Sequence, residues 1–194
     1  MPASASSKES DYKLYSDGRF VIQDYNRKKP FSNFLPGIAG LYGIPMWVFY
    51  VNRGQGLASF GTKGKDDAIL EFFPANKAYQ NVNTLGFRTF IKPAPHSKSR
   101  NAVSGPSAVY EPFREDIRGT GLVEQTLEMS SHEFVIREIN RELGLEISVR
   151  YFTVPNESLA ALVREVTFQN ISGRSLEFEL LDGLPQVNPY GMNE

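Results

Sequence analysis

Apolar and polar residues alternate most regularly in the last third of the chain. Leu145, Ile147, Val149 and Tyr151 alternate with Glu146, Ser148 and Arg150, and Leu176, Phe178 and Leu180 alternate with Glu177 and Glu179. A period of two marks strands with one buried and one wet face. Residues 123–129, 133–140 and 162–168 read as further strands, separated by turn-forming runs at 155–158 and 170–175. Together they predict an antiparallel meander. Asp17 and Gly18 sit between two apolar runs at 12–15 and 20–25, which predicts an opening hairpin. Residues 68–73, ended by Pro74, and 85–92 are additional strand candidates, the latter with Phe87, Thr89 and Ile91 on one face. No segment shows a sustained helical period. The predicted class is therefore an all-β, antiparallel β-sandwich.

The stretch from Phe31 to Gly61 departs from this regularity. Residues 46–51 are an unbroken apolar run bounded by Pro45 and by Gly54-Gln55-Gly56, as expected of a strand buried on both faces. Ahead of it, Gly37, Gly40 and Gly43 recur at every third position between Pro36 and Pro45. That spacing predicts an irregular apolar loop that needs cover from its own domain, another domain or a partner chain. Two readings of the stretch stand side by side. One is a buried loop leading into a core strand. The other is the rim of a carbohydrate site, with Trp47 or Tyr50 stacking on a sugar and Asn33, Asn52, Arg53 or Gln55 bonding its hydroxyls. The glycines at 54 and 56 open a strand-like run at 57–61, without the third glycine or Gly-Lys-Ser/Thr of a nucleotide loop.

Composition narrows the chemistry. The 194 residues are 41% hydrophobic, enough for a core, and carry 21 basic against 22 acidic residues for a net charge of −1. That balance gives no electrostatic signal for nucleic acid or an anionic membrane. There is no cysteine, and the two histidines, His96 and His132, lack ligand-like spacing, so no metal site is expected. No apolar run approaches the roughly 20 residues that span a bilayer, and residues 1–10 form a polar tail, expected to be disordered, without a secretory core. A cytoplasmic location is the default expectation. Residues 93–106 read as a long exposed loop. Glu111, Glu115 and Asp116 are the nearest approach to a catalytic carboxylate cluster, but Arg114 and Arg118 interleave them. Surface ion pairs are the expected outcome, because glycoside chemistry needs two carboxyls set across a cleft. No catalytic residue is assigned.

Residues 145–155 followed by 162–180, a strand running into Val154-Pro155 and then an Arg164-x-Val166-Thr167-x-x-Asn170 strand and turn, resemble a recurrent piece of one family. It is the N-terminal β-supersandwich of glycoside hydrolase family 94, the cellobiose phosphorylase group, whose first hairpin is similar to residues 15–20 here. Residues 29–56 are similar to the branch containing 1,2-β-oligoglucan phosphorylase and its transferase-like relatives. The resemblance covers nearly the whole chain after residue 11. It implies that residues 11–194 are a supersandwich cut short at its C-terminal side, the front of a longer polypeptide. It also implies a downstream (α/α)6 barrel carrying the general acid, inorganic phosphate as co-substrate with no cofactor, a β-glucan oligosaccharide as substrate and a homodimer. This chain would then shape the active-site entrance without supplying the chemistry. A domain of a phosphate-independent glucosyltransferase, a free-standing carbohydrate-binding module and a purely structural sandwich remain the alternatives.

Overall fold

The computed structural model describes residues 11–51, 54–60, 67–94, 109–114 and 122–192. Eleven strands and one helix make up its named elements, apart from a short 3-10 turn at Tyr25–Arg27. In order they are β1 (Tyr12–Leu14), β2 (Phe20–Gln23), β3 (Ser32–Ala39), β4 (Ile44–Val51), β5 (Gly56–Phe60), α1 (Ala75–Leu85), β6 (Arg88–Pro93), β7 (Val123–Met129), β8 (Glu133–Asn140), β9 (Leu145–Val154), β10 (Ala161–Asn170) and β11 (Phe178–Gly183).

Three sheets result: β1-β2-β7-β8-β9-β10, β3-β4-β5 and β11-β6. Every pairing between named strands is antiparallel. The predicted β-sandwich class holds at this level. Because β2 pairs directly with β7, the named elements between them lie outside the large sheet: β3, β4 and β5 form the second sheet, α1 follows, and β6 forms the third with β11, which comes after β10. One apolar cluster joins the parts. Leu127, Ile136, Val149 and Tyr151 of the large sheet pack with Leu35 and Val48 of the second sheet and Ile91 of the third. The alternation read from the sequence sets this arrangement. Along β9, Leu145, Ile147, Val149 and Tyr151 are buried while the residues between them are not. The outer face of the sheet carries ion pairs instead, such as Arg150 to Glu133 and Arg137 to Glu146.

Three expectations are corrected. Residues 31–43 are not an irregular loop, because most of them form β3, which pairs with β4 from Ser32↔Val51 to Ala39↔Ile44. β3 is an edge strand, where Pro36 breaks no second ladder. Gly40 (φ +71°) and Gly43 (φ +66°) close the hairpin in the left-handed region. Gly37 permits close packing: a Cβ there would overlap Thr153 of β9 and the Met46 carbonyl. Residues 68–73 are not a strand and contribute one bridge, Leu70 to Pro189. Finally, the chain does contain a helix. α1 buries Ala78 and Val82, one helical turn apart, a stripe too narrow to register as an apolar period. The tail at 1–10 and most of the loop at 93–106 lie outside the described residues.

Candidate functional site

On β10, Leu162, Arg164, Val166 and Phe168 share one face, and the three apolar members pack against the core. Arg164 is therefore an arginine placed in the apolar phase of its strand, opposite Tyr151 of β9. Its side chain is 8% exposed. Two hydrogen bonds, Nη1 to Asp182 Oδ2 at 2.6 Å and Nη2 to Asp182 Oδ1 at 2.9 Å, form a bidentate pair with β11. Nη2 also donates to Gln55 Oε1 at 2.6 Å and to Thr89 Oγ1 at 3.2 Å, and Nε donates to the Tyr151 hydroxyl at 3.2 Å. Thr89 in turn donates to Asp182, and Gln55 Nε2 donates to Thr89. Below the guanidinium lie the Phe87 ring, 5.0 Å from Cζ, and the Tyr151 ring, which stacks on Phe134 at 4.4 Å. One side chain thus ties the large sheet to β6 and β11 of the third and to the bend that leads into β5 of the second.

The electrostatics follow from this packing. Burial is the largest influence on Arg164 and opposes its charge, but the bond to Asp182 and the interactions with Tyr151 and the Asp182 charge together outweigh it, and the guanidinium pKa lies above its ordinary value. Burial likewise pushes the Asp182 carboxyl upward, and the bonds from Arg164 and Thr89 reverse that to a net lowering. Burial raises the Tyr151 phenol to about 12 despite the nearby guanidinium. The cluster meets solvent at Asp182, whose side chain is 24% exposed.

A second polar cluster lies under the centre of the large sheet. Glu138 is in phase with the buried Phe134, Ile136 and Asn140 of β8 and is itself fully buried. Its carboxylate accepts from the Tyr110 hydroxyl, from the Phe113 amide at 2.6 Å and from Gln125 Nε2 at 2.8 Å. Gln125 accepts from Asn26, which also donates to the Phe113 carbonyl. Burial raises the Glu138 pKa, and the three donors only partly offset it. Phe113, fully buried, is held at φ +66°, a sparsely populated region for a bulky residue. Glu138 thus fastens the 110–113 turn to the sheet.

Of the acidic cluster expected near residue 111, Glu111 is paired with Arg88 at 2.6 Å and with Arg114 at 2.9 Å, while Glu115 and Asp116 lie outside the described residues. Of the carbohydrate-site candidates, Gln55 is buried in the Arg164 cluster with both ends of its amide engaged. The backbone places Asn33 opposite Tyr50, and Trp47 between Pro36 and Ser59. Asn52 and Arg53 lie outside the described residues. Among the described residues, no three His, Asp or Glu side chains converge to hold a metal ion, and no helix is long and apolar enough to cross a membrane. Sequence reading passed over Arg164 and Glu138, although a charged residue in phase with its strand's apolar positions was the signal for both. No family model and no curated protein sequence matches this chain.

Proposed function

We propose that this chain is the non-catalytic β-supersandwich portion of a phosphorylase of β-1,2-linked glucans, which releases glucose 1-phosphate with inorganic phosphate as co-substrate. The observation that carries this reading is the Arg164 cluster. It is the largest convergence of polar side chains around one residue in the described fold, and its members are spent on one another. Glu111 is likewise neutralised by two arginines. Such groups hold a shape rather than protonate a leaving oxygen, since a general acid must reach its substrate. The resemblance of residues 145–180 to the family piece falls on β9, β10 and the approach to β11, the strands that this cluster locks.

In this reading the catalytic (α/α)6 barrel and a second protomer are the partners. The exposed apolar side chains supply surfaces for them: Ile38, Leu41 and Tyr42 at the β3–β4 hairpin, Leu159 beside it, and Leu181 on β11. Tyr42 is 91% exposed. The test is an assay of the polypeptide that carries this sequence together with its barrel. It should release glucose 1-phosphate from β-1,2-glucan when phosphate is supplied, while residues 1–194 alone turn over no glycan. Glucosyl transfer without phosphate consumption would replace this reading by the glucosyltransferase one. Turnover by residues 1–194 alone would refute the non-catalytic assignment.

A further inference from the structure

The large sheet ends at β10, which pairs with β9 on one side and with no described strand on the other. Of the described strands at a sheet edge it is the longest, and its ladder with β9 runs unbroken from Ala161↔Val154 to Asn170↔Leu145. The Ile171 amide extends that ladder by donating to the Gly144 carbonyl. Bonding residues alternate along an antiparallel ladder, so Leu162, Arg164, Val166, Phe168 and Asn170 aim their backbone N–H and C=O groups away from β9. Among the described residues no backbone group meets them there. The devices that usually blunt such an edge are missing too. Ala-Leu-Val-Arg-Glu-Val-Thr-Phe-Gln-Asn contains no proline, glycine or lysine, whereas the edge strand β3 carries Pro36 and Gly37.

The space between the layers is open at the same margin. On β9 the inward residues from Leu145 to Tyr151 are buried, but Leu162, Val166 and Phe168, on the same face of β10, are only partly so. β11 lies over this face, with Phe178 against Phe168 and Asp182 bonded to Arg164. Leu180 falls between them in phase, yet is 46% exposed. An unpaired backbone edge and an apolar margin beside it call for one kind of occupant, an added strand that brings apolar side chains of its own.

We infer that β10 pairs antiparallel with β10 of a second copy of this chain, about a two-fold axis at Val166. A two-fold contact needs a strand that complements itself, in a register that keeps the inward faces together. Centring on Glu165 would set two carboxylates face to face, and centring on Thr167 would shorten the ladder. Centred on Val166, Leu162 lies opposite Asn170, Arg164 opposite Phe168, and Glu165 opposite Thr167 of the other copy. No like charges are opposed. The free backbone groups then bond to their own counterparts, and the sheet continues through both copies. This pairing does not depend on the glucan reading given above.

The test is analytical ultracentrifugation of residues 1–194 and three variants over a range of concentrations. The expected result is a monomer–dimer equilibrium. Thr167→Glu sets Glu165 against a second carboxylate twice per dimer and should raise the dimer Kd about tenfold. Thr167→Lys sets opposite charges together and should leave the dimer no weaker than wild type. Val166→Pro removes an N–H that β9 does not use and should abolish the dimer while the far-UV circular dichroism is kept. Hydrogen exchange should show the Leu162 and Phe168 amides protected in the dimer and rapidly exchanging in the Val166→Pro monomer. A monomer at every concentration overturns the inference, as does a dimer indifferent to Val166→Pro and Thr167→Glu. Equal weakening by Thr167→Glu and Thr167→Lys overturns the register. Protection of the two amides in a wild-type monomer would mean that the chain covers this edge itself, which also overturns the pairing.

Discussion

Replacing Arg164 by methionine tests the clasp between the three sheets. Methionine keeps an unbranched apolar stem over Phe87 but removes every donor. Asp182 can regain water, being partly exposed, so its loss is discounted. Gln55 Oε1 and the Tyr151 hydroxyl cannot do so easily, since both residues are buried. Leaving two buried polar atoms short of a partner costs about 1–3 kcal/mol each, so with partial relaxation the expected loss is about 3 kcal/mol. For a domain of this size that lowers Tm by about 6–12 °C. Urea denaturation of the wild type, Arg164→Met, Asp182→Leu and the double variant would measure it. Removing both charges should recover part of the loss, giving a coupling energy of about 1 kcal/mol or more. The acid limb should change as well. The Asp182 pKa is lowered in the fold, so its contribution is present above the ordinary value of 3.8 and is lost as pH falls through the lower folded value. Arg164→Met should flatten that slope. A single variant within about 1 kcal/mol of wild type, or strictly additive single variants, would refute the clasp.

Two further outcomes follow from the packing. The Glu138 pKa is raised in the fold, so its sign is the reverse: stability should fall as pH rises from about 4.5 through the folded value, and Glu138→Gln should remove that decline in denaturation midpoints measured between pH 4.5 and 8. Gly37→Ala should destabilise by about 1–3 kcal/mol in the same assay, because its Cβ meets the backbone carbonyl of Met46 and Thr153, and trimming Thr153 should not rescue it.

The parts of the fold that sequence reading reached are those where burial alternates cleanly. β7 and β8 occupy the predicted residues 123–129 and 133–140, and the burial of β9 follows the predicted phase. Reading failed where a local signal and its tertiary setting disagree. Proline and glycine at 36–43 read as a loop, yet an edge strand tolerates the proline and close packing against Thr153 needs the glycine. The run at 68–73 is apolar enough for a strand but lacks a continuous partner. α1 hides because two small or β-branched residues suffice to seat it. At the candidate site, the phase of Arg164 among Leu162, Val166 and Phe168 was legible, whereas its partners were not. Gln55, Thr89 and Asp182 come from three distant parts of the chain, and only the closing of the sheets brings them together.

The joining of β2 to β7 and of β6 to β11 also bears on how the molecule reaches its native state. Strands β7 to β10 pair with their neighbours in sequence through short turns, so their loop-closure cost is low and they can form early. The pairing of β11 with β6 must wait for nearly the whole chain to be in place. On this topology the Arg164 clasp is expected to form late in assembly, after the meander. Contacts made that late govern how slowly the native protein comes apart rather than how quickly it folds. A clasp made that late is expected to act as a kinetic lock: Arg164→Met should speed unfolding and leave the refolding rate nearly unchanged in stopped-flow measurements.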